Sequence, residues 1–256
     1  MRNMKLGLDG KKALVTGGAT GLGQQFVMAL AKEGVTVAFS YYNEKEFPEV
    51  TEKEVAENTN SNAYGIQADL SKVEEARQLF NNAKEKLGKI DILINNAGVW
   101  LSGAVTDIKS EDWDKQLETN LRGPFLLCQE FAQAANKEDH GGHVLNITSQ
   151  AAYHGSTTGH SHYAASKAGL IAFNASFARE QAKNNINSNN IAIGIMHTKM
   201  IQENLDKDPN YYVNRIPKGR VVEPEEIAKM GTLIVSDVFD YMTGATIDLT
   251  GGMLMH

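Results

Sequence analysis

The sequence predicts a single doubly wound α/β domain, with about seven parallel strands and helices on both faces of the sheet. Three observations carry this. Short apolar runs alternate with helix-length stretches, the pattern of successive βαβ units. Residues 90–95 (IDILIN) are almost wholly apolar, as a central parallel strand covered on both faces must be. A glycine-rich turn, TGGATGLG at 16–23, joins the first apolar run to the first helix.

Residues 11–16 (KKALVT) read as the first strand and 24–33 as the first helix. The second strand falls at 35–40, followed by an acidic helical stretch to 58. A third strand at 63–68 leads to a helix at 71–87, with Ser71 as N-cap and Glu74 completing a capping box. After the strand at 90–95, one long helix is expected over 111–136. A fifth strand at 143–147 precedes the helix that begins YAASK. A weaker strand at 191–195 opens onto an irregular segment, 198–223. Pro224 then starts a helix at a favoured first-turn position, and 245–249 form the last strand.

The 256 residues suffice for one large domain, and no repeat, low-complexity segment or linker divides residues 1–256. Apolar residues make up 42% and charged residues 22%, as in ordinary soluble proteins. The net charge is −6 and the basic residues are scattered, which offers nothing to nucleic acid or an anionic membrane. The single cysteine, Cys128, excludes an internal disulfide and a cysteine metal cluster, and its apolar surroundings predict a buried thiol. With no long apolar run and no signal-peptide core in MRNMKLGLDGKK, a cytoplasmic location is expected.

Two stretches carry chemistry. Glycines between a strand and a helix let the backbone approach a pyrophosphate, while the helix N-terminus supplies N–H donors. Tyr163 and Lys167 lie four apart on a helical run, hence on one face. A phenol is a poor acid or base near neutrality, and a neighbouring ammonium favours its phenolate. Alone, such a pair is two surface residues on an amphipathic helix.

The glycine spacing G-x-x-x-G-x-G, Asn95-Asn96-Ala97-Gly98, Asn120, and Ser149 with Tyr163 and Lys167 occur in one order along most of the chain. Together they resemble the short-chain dehydrogenase/reductase family, of the type with about 250 residues and a Rossmann-type domain. The resemblance implies Tyr163 as proton donor or base, Lys167 as a ribose contact that lowers the Tyr163 pKa, and Ser149 as the residue positioning the substrate oxygen. It implies that Asn120 kinks its helix and holds a water in a relay to Lys167. Implied cofactor contacts are Gly17, Thr20, Gly21, Leu22, Gly23, Tyr41, Asp69, Leu70, Asn95, Ala97, Gly98, Met196 and Thr198, together with Tyr163 and Lys167. No metal is implied, and His160 and His162 are expected in a solvated loop. Ser149 and Tyr163 are fourteen residues apart where relatives commonly show thirteen, and GSTTGHSHY should absorb the extra residue.

In relatives that prefer NAD, a carboxylate ends the second strand and repels a 2′-phosphate. That position is Tyr41 here, which favours NADP(H) with NAD(H) possible. Ser40, Tyr42 and Asn43 are candidate phosphate partners, and Lys45 and Lys12 the nearest cations, while Thr20 stands where many NADP-users carry arginine. Ile193 replaces the family's proline before Gly194, and Ser188 and Asn190 stand where relatives have aliphatics. Asn190 is expected to find a partner or reach water.

A mobile substrate lid is expected around 199–220, with Met200, Ile201 and Leu205 nearest the pocket and Trp100 and His154 on the other wall. The substrate reading favours a small polar or sugar-like carbonyl or alcohol, which the run RIPKGR suits. The alternative is a 3-oxoacyl thioester on acyl carrier protein, although His140 and Asn184 fall where such reductases carry arginines. A non-catalytic cofactor sensor is the alternative of a different class. The resemblance also implies a homotetramer or dimer, in which Phe125, Leu126, Phe131, Leu170, Phe173 and Phe177 are either interface or core.

Overall fold

The computed structural model describes residues 5–156, 159–208 and 210–255, with the side chains of Lys199, Met200 and Asn204 outside the description. In chain order the first elements are β1 (Lys12–Val15), α1 (Gly21–Lys32), β2 (Thr36–Tyr41), α2 (Pro48–Asn58), β3 (Ala63–Gln67), α3 (Val73–Leu87) and β4 (Ile92–Asn95). Then follow α4 (Ser110–Leu117), α5 (Gly123–Glu138), β5 (Gly142–Ser149), α6 (Ala151–His154), α7 (Ser161–Gln181) and β6 (Ile186–Ile193). The chain ends with α8 (Lys199–Lys207), α9 (Asn210–Val213), α10 (Pro224–Ile234) and β7 (Thr246–Leu249). The seven strands form one sheet in the order β3-β2-β1-β4-β5-β6-β7. Every pairing is parallel, as expected of a doubly wound Rossmann-type fold.

Side-chain alternation along the strands divides the core in two. Val15, Phe39 and Ile94 pack with Phe26, Leu30 and Ile227 from α1 and α10. Leu14, Leu93 and Val144 face the other way, against Leu79, Phe80, Leu127, Phe131 and Phe177 from α3, α5 and α7. Among the described residues, no helix is long and apolar enough to cross a membrane.

Three differences from the sequence expectation have a clear physical cause, and the segment read as irregular at 198–223 holds the helices α8 and α9. The helix α3 starts at Val73, and Ser71 does not cap it: its hydroxyl donates to Asp69 Oδ1 at 2.7 Å. The expected capping box is therefore not formed. The Asp69 carboxylate holds the Ser71 hydroxyl as a donor, away from the amide three residues on that a cap would accept, and Glu75 turns back to accept the Asp69 amide at 2.8 Å. The expected helix over 111–136 is split into α4, a π-helical turn at Glu118–Arg122, and α5. Pro124 explains the break, because it has no N–H to give the carbonyl of residue 120, its partner in an α-helix.

Finally, β6 begins at Ile186 and takes in all the polar residues of INSNN. Their side chains are buried and satisfied. Asn190 Nδ2 donates to the Thr246 hydroxyl (2.9 Å), and its Oδ1 accepts from Asn146 Nδ2 (3.1 Å). Asn146 also donates to Asn174 Oδ1 (3.0 Å) and accepts from Asn95 Nδ2 (2.8 Å), while Ser188 donates to Asn174 Oδ1 (2.6 Å). A chain of amides thus crosses the sheet from β4 to β7. Ile193 extends β6 by pairing with Ser149 on one side and Leu249 on the other.

Asn146 is the node of that chain, so Asn146→Leu leaves three buried amides each short of a partner. The expected loss is about 2–5 kcal/mol of stability, read as a lowered urea midpoint at unchanged slope.

Candidate active site

The order β2-β1-β4 opens a crevice above the carboxyl ends of these strands, because the chain leaves β1 on one side and β4 on the other. Two bonding groups close its floor. The Thr16 hydroxyl accepts the amides of Asn96 (3.0 Å) and Ala97 (2.9 Å), and Asn96 Nδ2 donates to the carbonyl of Thr16 at 2.9 Å. The turn and the segment after β4 are thereby held together. Gly17 has φ +65°, and a Cβ on Gly23 would collide with the Gly17 carbonyl oxygen. Only glycine fits this crossing. The first turn of α1 carries no acidic residue and no side-chain cap, so its amide groups face the crevice free for an anion.

The cavity has a volume of about 460 Å³. Of the expected contacts, Gly17, Thr20, Gly21, Leu22, Gly23, Tyr41, Asp69, Leu70, Ala97, Gly98 and Met196 line it. Asn95 does not, and the expectation is corrected: its side chain points into the core, to Asn146 and to Cys128 Sγ (3.4 Å). Strand alternation turns Asn95 inward, and Asn96 takes its place in the lining. Thr198 is not in the lining either; its hydroxyl accepts the Ile201 amide at 3.3 Å, as the cap of α8.

Beyond Gly98 stands the cluster expected to be catalytic. A Cβ on Gly98 would lie 3.2 Å from Asn120 Oδ1 and 3.7 Å from Lys167 Nζ. Ser149 ends β5, where its hydroxyl accepts the Ala151 amide at 3.2 Å and lies near enough to Tyr163 to act on the phenol. The extra residue before Tyr163 is absorbed between the two, in α6 and the loop with Gly155 (φ +78°) and Gly159 (φ +92°). Thr157 and Thr158 of that loop lie outside the described residues.

Lys167 Nζ donates to the Ile147 carbonyl at 2.8 Å and lies 5.8 Å from the centre of the Tyr163 ring. Burial lowers the Lys167 pKa from its usual 10.5 to about 8. Burial also pushes the Tyr163 phenol above its ordinary value, with Ser149 acting downward. A lowering of the Tyr163 pKa by Lys167 is therefore not met in the protein alone. The ammonium is engaged by the carbonyl, and desolvation dominates.

Asn120 is fully buried in the π-helical turn, and its amide clamps Val99, accepting the amide at 2.8 Å and donating to the carbonyl at 2.9 Å. Gln116 does the same one turn earlier, donating to the Val99 carbonyl (2.6 Å) and accepting the Leu101 amide (3.0 Å). Sequence reasoning missed Gln116, although its i, i+4 relation to Asn120 was readable.

The histidine expectation is also corrected. The helix α7 starts at Ser161, so His162 is helical and fully buried, and burial lowers its pKa. His160 Nδ1 lies 2.9 Å from the Leu101 carbonyl, and its ring stacks on Trp100 at 4.2 Å. Trp100 and the exposed His154 are both absent from the cavity lining.

Lys12 is at the far end of β1, bonded to the Thr36 hydroxyl at 2.9 Å, and Lys45 is not in the lining. The cation among the lining residues is instead Lys115 on α4, four residues before Thr119 of the π-helical turn, which also lines the cavity. Glu46 lines the β2 end, a carboxylate the reading of Tyr41 did not anticipate.

In the expected lid segment, α8 and α9 lie between β6 and α10, with Ile201 and Leu205 half-buried. The Met200 side chain lies outside the description. Arg220 forms a bidentate pair with Glu226 (2.6 and 2.7 Å), and Arg215 sits 4.9 Å from the Tyr211 ring, so RIPKGR spends both guanidinium groups internally.

A phosphate-binding turn, a crevice at the strand crossover and a buried Ser–Tyr–Lys cluster define a nucleotide-cofactor oxidoreductase. The chain belongs to the short-chain dehydrogenase/reductase family. A family model described as enoyl-(acyl carrier protein) reductase matches residues 17–254. The chain is 31% identical over 248 residues to a 3-oxoacyl-[acyl-carrier-protein] reductase of Thermotoga maritima, covering 97% of this chain and 99% of that one. It is 33% identical over 249 residues to a 3-oxoacyl-[acyl-carrier-protein] reductase of a Synechocystis species, covering 97% and 98%. Among solved structures it resembles a short-chain type dehydrogenase/reductase from Mycobacterium marinum, with TM-score 0.90, 29% identity and 98% of each chain covered. It also resembles a blue fluorescent protein from a metagenomic library in complex with NADPH, with TM-score 0.89, 29% identity, and 97% and 100% covered.

The depressed Lys167 pKa has a thermodynamic consequence. Between pH 8 and 10.5 the unfolded chain binds a proton at this residue that the folded protein releases. Stability should therefore rise with pH across that window, by at most about 1.4 kcal/mol per unit from this group. Lys167→Met should flatten the slope in urea unfolding between pH 8 and 10; an unaltered slope would refute the burial of the ammonium.

Proposed function

We propose that the protein is an NADP(H)-dependent oxidoreductase that interconverts a carbonyl and a secondary alcohol, with Tyr163 as the acid or base. The observation that carries this reading is the meeting of three side chains: Ser149 at the end of β5, the Tyr163 phenol whose pKa it acts to lower, and the buried Lys167 ammonium 5.8 Å from the phenol ring. Three residues that could each be structural come together, with Lys167 beside Gly98, which lines the cavity. NADP(H) is supported by the NADPH complex of the structural relative and by the absence of a carboxylate at Tyr41.

The free amide groups of α1 and the glycine crossing would hold the pyrophosphate, and Asp69 and Leu70 the adenine. A bound nicotinamide supplies or accepts the hydride. The protein's residues handle the proton. Ser149 holds the substrate oxygen near the phenol, and Tyr163 gives that oxygen its proton or removes it. Lys167, held by the Ile147 carbonyl, supplies the positive charge that stabilises a phenolate. Asn120 and Gln116 fix the Val99 to Leu101 backbone beside the cluster, so the wall facing the substrate is held by side chains rather than left to a free loop.

Within this chemistry the substrate we favour is small and polar or sugar-like. Carrier-protein docking needs cations to meet an acidic partner. The two positions at issue hold His140, whose Nδ1 lies 2.7 Å from the Gly141 carbonyl, and Asn184, whose amide donates to Gln181 at 3.0 Å. A second reading, reduction of a 3-oxoacyl thioester on acyl carrier protein, is favoured by the names of the curated relatives. A panel of small ketones, sugar alcohols and 3-oxoacyl thioesters, followed by NADPH absorbance, separates the two. Tyr163→Phe should lower turnover by at least about 100-fold on whichever substrate is active, with NADPH binding kept. If wild type turns over nothing in the panel while binding the cofactor, the catalytic reading fails and a cofactor sensor takes its place.

We further propose assembly as a homotetramer or dimer through the outer faces of α5 and α7. Leu126, Phe131, Leu170 and Phe177 are core, whereas Phe125 is 40% exposed and meets the half-buried Phe173 edge-on at 5.8 Å. Sedimentation at micromolar protein should give a species of at least two chains, and Phe125→Glu should shift it toward monomer. A wild-type monomer would overturn this.

A further inference from the structure

We infer that Glu46 is a tethered competitor for the ribose 2′ position, and that it sets the balance between NADP(H) and NAD(H). The inference rests on the proposed use of a nicotinamide dinucleotide and deepens it.

The end of β2 offers few donors to a phosphate, and carboxylates of the chain already hold two of them. Glu46 Oε2 accepts the Tyr42 amide at 3.2 Å, and Glu44 Oε1 accepts the Tyr41 phenol at 3.3 Å. Ser40, a third candidate, accepts the Gly17 amide at 3.0 Å, which ties its oxygen to the glycine turn and leaves its own O–H to donate. Asn43 Oδ1 accepts the Lys45 amide at 3.0 Å, capping the short helical turn at Glu44–Glu46, and its Nδ2 is not used in that bond.

That turn is what aims Glu46 into the cavity. It ends at Phe47, held at φ +51° in the left-handed region that a bulky side chain avoids, and the next residue is the buried Pro48. The backbone on both sides of Glu46 is thus fixed by neighbouring geometry. Of the two carboxylates, only Glu46 lines the cavity, whereas Glu44 is exposed and outside it.

The family position for a discriminating carboxylate holds Tyr41, yet five residues later the chain returns one to the same end of the sheet. Its chemistry treats the two cofactors differently. A 2′-hydroxyl is a donor and can give its hydrogen to a carboxylate. A 2′-phosphate is an anionic acceptor; it needs the Tyr42 amide that Glu46 holds, and it is repelled by the same charge. The lining cation, Lys115, stands on α4 rather than on the turn that carries Glu46.

The test uses ligands that lack the nicotinamide, so that it reads the ribose site without turnover. Wild type, Glu46→Gln, Glu46→Ala and Glu44→Gln are titrated calorimetrically with 2′,5′-ADP and with ADP. Glu46→Gln keeps an acceptor for the Tyr42 amide and removes the charge, whereas Glu46→Ala removes both. Both Glu46 variants should tighten 2′,5′-ADP by about tenfold relative to ADP, and Glu44→Gln should move the ratio by less than about threefold. NADPH and NADH titrations should shift in the same sense. A ratio that moves less than threefold in both Glu46 variants, or equally in Glu44→Gln, overturns the inference. If that happens while wild type binds NADPH, the cofactor reading stands and the Glu46 inference alone fails. If wild type binds neither dinucleotide, the cofactor reading fails first.

Discussion

The strand order imposes the site. With all strands parallel, every carboxyl end opens at one edge of the sheet, and β1 lies between β2 and β4. The chain must leave β1 toward one layer of helices and β4 toward the other, so the two connections part and a crevice remains between them. The residues that matter are where this geometry puts them: Gly17 after β1, Tyr41 at the end of β2, Asp69 after β3, Asn96 after β4, Ser149 at the end of β5 and Met196 after β6. Thr16 then draws the first and fourth of these connections into hydrogen-bond contact.

The strand β5 joins the buried amide chain to the candidate site. Asn146 is the node of the buried amide chain, the carbonyl of Ile147 holds Lys167, and Ser149 meets Tyr163. Two kinds of buried polarity therefore sit within four residues. The amides are neutral and mostly satisfied, which fixes the strand in its register. The ammonium has one carbonyl and little else, so its charge remains costly and its pKa falls to about 8. A rail held by closed hydrogen bonds positions a charge that is deliberately under-satisfied.

The fold was readable because apolar runs and glycine spacing are local signals, and the candidate cluster because its residues stand in one order along the chain. What escaped depended on contacts between distant segments. The weak strand read at 191–195 omits the polar run INSNN, since nothing in that run announces that Asn146, Asn174 and Thr246 will meet it. The break at the π-helical turn was latent in Pro124, whose missing amide proton acts four residues upstream. Asn95 was misplaced by one step of the strand pleat, and His162 by a helix that begins earlier than YAASK. Glu46 escaped because the discriminating position was sought at the end of β2 itself, whereas the carboxylate returns from the following turn.

The clamp on Val99 has an optical consequence. The chain has two tryptophans, Trp100 and Trp113, and both belong to the same small region. Trp100 lies between the two backbone sites gripped by Gln116 and Asn120, with its ring against the imidazole of His160. Trp113 is on α4, three residues before Gln116. The indole emission of the native protein therefore originates beside the reactive cluster, with no contribution from the far edge of the sheet. The molecule carries its own spectroscopic probe, sited on the loop that Asn120 clamps at Val99.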